Sequence, residues 1–398
     1  KMKRKILTLL LALAMVLTML PMTALATSAD DCAGDADCQH QAAIGTTHYD
    51  TLVEAYANLP RNVKADAEPT VITLLRDCAG GGIGSDSDKG MNYVVDFNGH
   101  TYTVGAPAVG SVGTVSQGLR VMQGSKAVFK NGTLKADNYS LLAQVVHTYG
   151  DVTLQDFTID CTADSNAQIA VEADCGTLNI LGNSSILARN AKSTGLYAAF
   201  WHYGNYNGTT VNVDTTRKIT EILKYEFDED YTGSAAATEN KGILNIQKGN
   251  FEIGQIVASF SGVTNPDLKV AKINISGGTF DCIDALKYLT NGANVTVKLS
   301  SDVSTNGRIT IPSGADVVLD LNGKTFTGTT RGLLDGVGSL LDVNAATLTV
   351  QDSSAGQSGK LVADEYGISA ANNGKIIVNS GTIESNYAAL SGNNTNGD

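Results

Sequence analysis

Gly374-Lys-Ile-Ile-Val-Asn-Ser-Gly-Thr-Ile383 is the stretch of this chain that decides its fold. An apolar strand from Lys375 to Val378 is followed by a turn, then by Gly381-Thr382 and one apolar residue, Ile383. The pattern predicts one strand, a sharp bend and the start of a second strand. Such a unit cannot bury its apolar face alone, so it has to stack on similar units.

The same pattern recurs along the chain. Clear copies lie at Gly150–Ile159, Gly242–Phe251 and Lys272–Phe280, and a weaker copy runs from Ala127 to Leu134. The step from Ala127 to Val152 and the step from Gly249 to Gly278 are similar in length, and each suits one triangular coil with loops. We therefore predict an all-β fold, a right-handed parallel β-helix (a solenoid) in which each copy forms part of one coil.

A longer duplication runs through the chain at a constant offset. Tyr93–Thr103 (YVVDFNGHTYT) matches Val317–Thr327 (VVLDLNGKTFT), and Gly150 matches Gly374 in the same register. Each copy contains an Asn-Gly pair, which predicts a tight turn because both residues tolerate positive φ. The duplication predicts a first module at 44–290 and the start of a second, truncated module at 291–398. Whether the two modules form one continuous rod stays open.

The N-terminal residues have the pattern of a secretory signal peptide. A basic start is followed by the apolar run Ile6–Leu20 and by Ala24-Leu25-Ala26, a small-residue cleavage site. The run is shorter than the roughly 20 residues that a membrane-spanning helix needs. We predict a signal peptide at 1–26, and hence a secreted, extracellular protein with no membrane span in the mature chain.

A short helix is predicted after a flexible lead-in at 27–43. Asp50 is the expected N-cap, and Leu52, Ala55, Tyr56 and Leu59 follow at helical spacing. Such a helix would cover the open edge of the first coil. No closing cap is recognisable at the other end, so we expect a fragment of a longer protein whose missing C-terminal region attaches it to the cell surface.

Composition and charge exclude one class of function. The formal net charge is −12, and removal of four cations with residues 1–26 would make it −16. A nucleic-acid-binding protein needs a basic surface instead. An oxidising compartment would permit disulfides among the six cysteines, and proximity suggests Cys32 with Cys38 or Cys161 with Cys175. The pairing stays open, and isolated thiols are the alternative.

With these residues assembled, the chain resembles the right-handed parallel β-helix (pectate-lyase-like, pectin lyase-like) surface proteins of anaerobic gut bacteria. The resemblance rests on the signal peptide, on Tyr49–Tyr56, on the two Asn-Gly motifs and on the Gly-Gly-Thr-Phe coils. It implies a bacterial secreted or cell-surface solenoid. The fold hosts lyases, glycoside hydrolases and adhesive rods, so it does not decide the function.

The catalytic residues of the pectate-lyase and polygalacturonase families are not recognisable, so we predict no catalytic residue and no metal site. Asp96 and Asp320 recur beside the turns, where the structural interpretation has each carboxylate accepting backbone hydrogen bonds. Asp156, Asp160 and Glu172 would form a catalytic group only if adjacent coils brought them together. No cofactor is expected, although calcium stays possible.

An aromatic run supplies the candidate ligand-binding residues. Tyr197, Trp201, Tyr203 and Tyr206 lie close together in the sequence, while aromatic residues are only 6% of the chain. Flat rings can stack on sugar rings, and their polar tips can bind hydroxyl groups. The alternative is a loop that packs onto the coils through its own aromatic side chains.

From these observations we predict a structural spacer or adhesin. Its expected partners are glycans or a host or cell-wall surface. The observations are more consistent with a non-catalytic protein than with an enzyme. A carbohydrate-active enzyme (polysaccharide lyase or glycoside hydrolase) is the first alternative. A non-catalytic carbohydrate-binding module around Trp201 is the second. An enzyme should bring several acids, or acids with Arg or Lys, into one lateral groove, whereas a glycan binder should expose coplanar rings.

Overall fold

The chain folds into parallel β-sheets whose strands come from successive turns of the chain. The computed structural model describes residues 38–64, 66–111, 114–203, 206–229, 237–330 and 338–393. The predicted signal peptide at 1–26 and residues 27–37 of the predicted lead-in lie outside them. None of the helices in these ranges has the length and hydropathy of a membrane-spanning segment.

Sheet A has 17 strands. Its strands are β1 (Ala42–Ile44), β2 (Thr47–Tyr49), β3 (Thr70–Leu74), β4 (Cys78–Gly80), β5 (Asn92–Asp96), β6 (Thr101–Val104), β9 (Lys126–Ala136), β11 (Asp151–Asp160), β13 (Gly176–Gly182), β14 (Ser185–Leu187), β18 (Thr209–Thr220), β20 (Ile243–Glu252), β22 (Ile273–Phe280), β23 (Leu289–Lys298), β26 (Asp316–Asp320), β29 (Thr347–Gln351) and β32 (Lys375–Val378).

The remaining strands form four smaller sheets. Sheet B contains β7 (Val109–Ser111), β8 (Thr114–Val121), β10 (Gln144–Thr148), β12 (Ile169–Ala173), β15 (Thr194–Ala198), β19 (Ile222–Asp228) and β21 (Ile256–Ser261). Sheet C is the hairpin of β16 (His202–Tyr203) and β17 (Tyr206–Asn207). Sheet D contains β24 (Val303–Asn306), β27 (Thr325–Thr329), β30 (Lys360–Ala363) and β33 (Thr382–Ser385). Sheet E contains β25 (Ile309–Ile311), β28 (Ser339–Asn344), β31 (Tyr366–Ala371) and β34 (Ala388–Asn393).

The pairing shows a three-strand period in the C-terminal part. Strand β26 pairs with β29, β27 with β30, and β28 with β31, all in parallel. The next set, β32, β33 and β34, continues the same three ladders. Each turn of the chain therefore supplies three strands, as in a β-solenoid. Among the described strands, antiparallel pairs are confined to β1–β2, β1–β3, β7–β8 and β16–β17.

The core is a set of apolar rows that run along the stack. In a strand, successive side chains point to opposite faces, so every second residue faces inward. One row is continuous through successive coils and is wholly buried: Val95, Phe129, Leu154, Ile180, Val213, Ile246 and Ile275. Aromatic rings also stack between neighbouring coils. The ring centroids of Phe251 and Phe280 lie 4.5 Å apart, with their planes 5° from parallel.

An amide ladder runs along the outer side of sheet A. Asn212 donates to Asn179, Asn245 to Asn212 and Asn274 to Asn245, each over 2.9 Å. These residues pair in register on successive coils, which brings identical side chains to hydrogen-bonding distance. The ladder therefore stabilises both the register of neighbouring coils and the distance between them.

The duplicated turns have the predicted backbone. Asn98 and Gly99 have φ values of +51° and +84°, and Asn322 and Gly323 have +47° and +75°. Asp96 Oδ1 accepts the Asn98 N–H at 2.9 Å, as the structural interpretation of this aspartate predicted. Asp320 Oδ1 accepts the Asn322 N–H at 3.0 Å in the same way. Strand β23 crosses the predicted module boundary and pairs in parallel with both β22 and β26.

The predicted helix is present as α1 (Leu52–Ala57), with Leu52, Ala55 and Tyr56 buried. Its N-cap is Thr51 and not Asp50. The Thr51 hydroxyl accepts the Glu54 N–H, and the Glu54 carboxylate accepts the Thr51 N–H, which completes a capping box. Two short 3-10 helices, η1 (Pro266–Leu268) and η2 (Ile283–Tyr288), lie in connections between strands.

The cysteines correct one suggested pairing. Cys161 and Cys175 are both buried free thiols, so they do not pair with each other. Cys78 and Cys282 are also free. Cys38 is disulfide-bonded, whereas Cys32 lies outside the described ranges.

Candidate functional site

The outward face of sheet B carries a row of polar and ionisable side chains, one from each of five successive strands. His147 is in register with Arg120 and Glu172, and Glu172 is in register with Tyr197, which aligns with Lys224. Their neighbours in sequence, such as Val146, Val171 and Leu196, are buried in the core. Because strand residues alternate between faces, the row faces outward, at a spacing of roughly 4.8 Å per coil.

His147 is the best-connected member of this row. Its Nε2 lies 2.6 Å from Asp174 Oδ2, and its Nδ1 lies 2.7 Å from Gln117 Nε2. His147 and Gln117 are 3% and 4% exposed, and Asp174 is wholly buried. Asp174 follows the end of β12, so the chain turns this carboxylate back toward the histidine of the preceding coil.

Two buried carboxylates lie beside this histidine. Burial, followed by the charge of Asp174, raises the pKa of Glu172 to about 7. Burial also raises the pKa of Asp174 and outweighs the attraction of His147. Burial opposes the charged form of His147, but the carboxylates of Asp174 and Glu172 raise its pKa above the ordinary value. The site thus concentrates negative charge that water does not screen.

The far end of the row is a triangle of polar contacts. The Tyr197 hydroxyl donates to Glu226 over 2.5 Å, and the Lys224 ammonium lies 2.5 Å from Glu226. The same ammonium lies 4.3 Å from the centre of the Tyr197 ring. Although burial opposes it, hydrogen bonds from Lys224 and Tyr197 hold the pKa of Glu226 below its usual value. Tyr197, a predicted ligand-binding residue, is therefore already engaged in a charge-assisted network.

Trp201, the central residue of the predicted aromatic site, packs inward. It is half-buried against Met122, Tyr149 and Cys175, and its ring lies 5.7 Å from the Tyr149 ring. This environment matches the alternative interpretation, a loop that packs onto the coils through its aromatic side chains. Tyr203 and Tyr206 pair across the sheet C hairpin, and their side chains lie outside what the structure describes.

The three acids considered as an alternative catalytic group lie on two different sheets. Asp156 lies on β11 in sheet A, where it binds the Gln155 amide and the Asn183 backbone. Asp160 ends the same strand and accepts the Thr162 N–H. Glu172 instead lies in sheet B, where Asp174 is the neighbouring carboxylate. The condition for a catalytic group of Asp156, Asp160 and Glu172 is therefore not met, because β11 and β12 belong to different sheets.

A second candidate site is a polar groove of about 470 Å³ on sheet E. Thr310, Asp342, Ser369 and Ser391 form one register row across its floor. Arg308 binds Asp342 at 3.1 Å on one side, and Tyr366 provides a ring wall. The Tyr366 ring stacks on that of Tyr387, which is 66% exposed. A groove with hydroxyls, an ion pair and an aromatic ring can bind the polar edges and apolar faces of a sugar.

Two groups of side chains in the described ranges have the donors for a metal ion. His147, Glu172 and Asp174 place their donor atoms within 4.8 Å of one another, and Cys38, His40 and His48 do the same. The Cys38 sulfur is disulfide-bonded and so is not a thiolate ligand. The group of His147, Glu172 and Asp174 is therefore the better candidate for a metal site.

Sequence reasoning missed the association of His147 with Asp174 and Arg120. The sequence does contain a signal for this association, because a polar or ionisable residue recurs once per coil at nearly equal intervals. These residues are Arg120, His147, Glu172 and Tyr197. These intervals resemble the step from Ala127 to Val152 in the apolar motif. No protein-family model, curated protein or solved structure matches this chain.

Proposed function

We propose that the chain is a secreted or surface-displayed right-handed parallel β-helix that acts as a structural spacer or adhesin. The continuous ladder of sheet A, from β3 through β32, carries this proposal. Consecutive coils satisfy each other's backbone hydrogen bonds, which makes a stiff body that grows by addition of coils. The right hand follows the general rule for crossovers between parallel strands in one sheet, and α1 would cap the first of two tandem modules.

The burial of His147 and its charged neighbours argues against catalysis. Arg120, His147, Glu172 and Asp174 are each at most 5% exposed. A general acid or base has to come within hydrogen-bonding distance of its substrate, directly or through one water. Side chains packed under Tyr149 and Trp201 do not offer that access. A non-catalytic rod therefore fits better than a polysaccharide lyase or a glycoside hydrolase.

Glycan binding is a second candidate function, and the stacked ring pair beside the sheet E groove favours it. Tyr366 and Tyr387 stand beside a groove whose other lining side chains are mostly hydroxyl, amide or charged groups. Such a groove on the side of a rod would let an adhesin hold a surface polysaccharide of the host or of the cell wall. The net negative charge favours a neutral glycan unless calcium bridges the two.

A glycan-array screen of the purified chain, run with and without calcium and scored for reaction products, tests both functions. We expect binding of at most a narrow set of neutral glycans and no turnover. Turnover of any glycan would overturn the non-catalytic proposal. Complete absence of binding would reject the glycan-binding function and would leave the spacer as the remaining role.

A further inference from the structure

The donor atoms of His147, Glu172 and Asp174 form a compact set at the ends of neighbouring strands. One imidazole nitrogen and two carboxylates lie within 4.8 Å of one another. His147 comes from β10 and Glu172 from β12 on the next coil, and Asp174 directly follows β12. Neighbouring parallel strands hold His147 and Glu172 in register, and the Asp174 N–H adds one more backbone bond by donating to the Thr148 carbonyl at 2.9 Å.

The charge of this set is not balanced by the cations around it. Arg120 forms its ion pair with Asp86, and Lys224 forms its ion pair with Glu226. Within the described ranges, neither Glu172 nor Asp174 has an ion pair with Lys or Arg. Glu172, 5% exposed, accepts the Gln144 amide at 2.7 Å, and Asp174, 0% exposed, contacts His147, so two buried carboxylates lie beside one imidazole. Buried charge of one sign is unfavourable without a countercharge.

One of the buried oxygens also lacks a partner. Asp174 Oδ2 contacts His147, and the Tyr149 hydroxyl is a further polar neighbour of this carboxyl, whereas Asp174 Oδ1 makes no hydrogen bond of normal geometry among the described residues although it is shielded from water. The same is true of Gln117 Oε1. Unsatisfied buried oxygens are uncommon in folded proteins and call for a ligand or another explanation.

The Gln117 amide can serve as an outer partner of a metal-bound histidine. A histidine that binds a metal through Nε2 carries its proton on Nδ1 and usually donates it to an oxygen. A half-turn of the Gln117 amide would place Oε1 beside Nδ1, where Nε2 now lies at 2.7 Å. That rotation would also satisfy the Oε1 atom that is now without a partner.

We infer that His147, Glu172 and Asp174 bind a divalent transition-metal ion, with Zn²⁺ as the best match. Zinc accepts an imidazole nitrogen and carboxylate oxygens at roughly 2.0–2.2 Å, commonly with three protein ligands. Calcium takes six to eight oxygen ligands, which this set does not supply. The ion would replace the His147–Asp174 hydrogen bond and neutralise both carboxylates. The site is independent of the sheet E groove and of glycan binding.

Zinc binding to the full chain, purified without a histidine tag and stripped with a chelator, tests this inference. We expect about one zinc per chain after gel filtration, measured by elemental analysis. Asp174→Asn and His147→Gln should each weaken zinc binding at least about tenfold, because loss of only an outer partner of a metal ligand already costs about that much. Asp342→Asn, which removes a carboxylate from sheet E, and His48→Ala, which alters the other donor group, should leave binding unchanged.

X-ray absorption at the zinc edge keeps the test valid if the variants fail to fold. The wild-type site should show nitrogen and oxygen ligands and no sulfur. Sulfur ligation, or loss of binding in His48→Ala, would place the metal at the other donor group and overturn the inference. Absence of zinc binding at micromolar concentration, or selective binding of calcium, would also overturn it. Circular dichroism of each variant separates lost ligation from lost folding.

Discussion

Tyr366 and Tyr387 come from consecutive coils, and their rings stack with centroids 5.6 Å apart and planes 21° from parallel. Tyr366 begins β31, and Tyr387 immediately precedes β34, the next strand of the same ladder. The coil spacing thus brings two rings into contact at the surface, whereas Trp201 is packed inward. This stacked pair, in which Tyr387 is exposed and Tyr366 is half-buried, therefore lies at sheet E, away from the aromatic run in the sequence.

Removal of either ring should weaken glycan binding. For Tyr387→Ala and Tyr366→Ala we expect about three- to tenfold weaker binding of any glycan that the screen identifies, because each change removes a stacking face. Titration of the glycan by calorimetry measures the loss. Leu141→Ala truncates another exposed apolar side chain, 56% exposed and remote from sheet E, and should bind normally. Equal affinity in all three variants would remove sheet E as the binding site.

Trp201→Ala should affect stability and not glycan binding. The indole packs on Tyr149, Met122 and Cys175, so its loss leaves a cavity over the sheet B row. We expect a decrease of about 1–3 kcal/mol in the free energy of unfolding, since the side chain is only partly buried. Urea unfolding followed by circular dichroism checks the value. Lost glycan binding with unchanged stability would instead support the aromatic-run site predicted from the sequence.

Features that depend on a few neighbouring residues could be predicted. Asn322-Gly323 needs only the local preference of these residues for positive φ, and both adopt it. The apolar strand Lys375–Val378 likewise has the predicted bounds. The N-cap was misassigned by one residue because Asp50 and Thr51 are both good caps. The Glu at position 54, in the third helical position after Thr51, was the discriminating signal.

Features that depend on alignment between coils could not be predicted. Coil length varies, since the step from Val295 to its partner Val317 is much shorter than the step from Tyr93 to its partner Ala127. One additional loop residue changes the pairing partner of every later residue in the coil, so the sequence alone does not determine which polar side chains meet. Asp174 illustrates the difficulty because it lies just beyond β12, where the chain direction changes. Its contact with His147 depends on that change of direction as well as on the coil length.

The glycine of the repeated motif should be intolerant of a side chain. A Cβ atom at Gly150 would lie 2.6 Å from the carbonyl oxygens of both Met122 and Ser125, which belong to the backbone of the preceding coil. Gly150→Ala should therefore lower stability by about 1–3 kcal/mol, because the coils have to separate locally. A Cβ atom at Gly356 would meet open space, so Gly356→Ala serves as the control. Equal unfolding midpoints for the two variants would contradict the close approach.

The amide ladder should be most sensitive in its middle. Asn212→Ala removes one hydrogen bond to Asn179 and one from Asn245, so we expect a loss of about 1–2 kcal/mol. Asn274→Ala removes only the bond to Asn245 and should cost about half as much. Denaturant unfolding of both variants measures the difference. A loss at Asn274 as large as that at Asn212 would show that the amides act independently of their position.

Acid should abolish the contribution of Asp96 to the free energy of unfolding. Burial opposes its charged form, but hydrogen bonds from the Asn98 backbone, Lys130 and Asn131 hold the pKa of Asp96 below its usual value. A carboxylate with a lower pKa in the folded state contributes stability above its unfolded pKa of about 3.9 and loses it as the pH falls through the folded pKa. Asp96→Asn should therefore be less stable than the wild type at pH 7, by about 1 kcal/mol for a partly exposed group, and the difference should vanish in strong acid.

Urea unfolding at a series of pH values gives the difference curve, and Asp214→Asn on β18, an exposed carboxylate, is the control. A difference that stays constant from neutral pH to strong acid would mean that the Asn side chain distorts the turn and that the charge of Asp96 does not stabilise it.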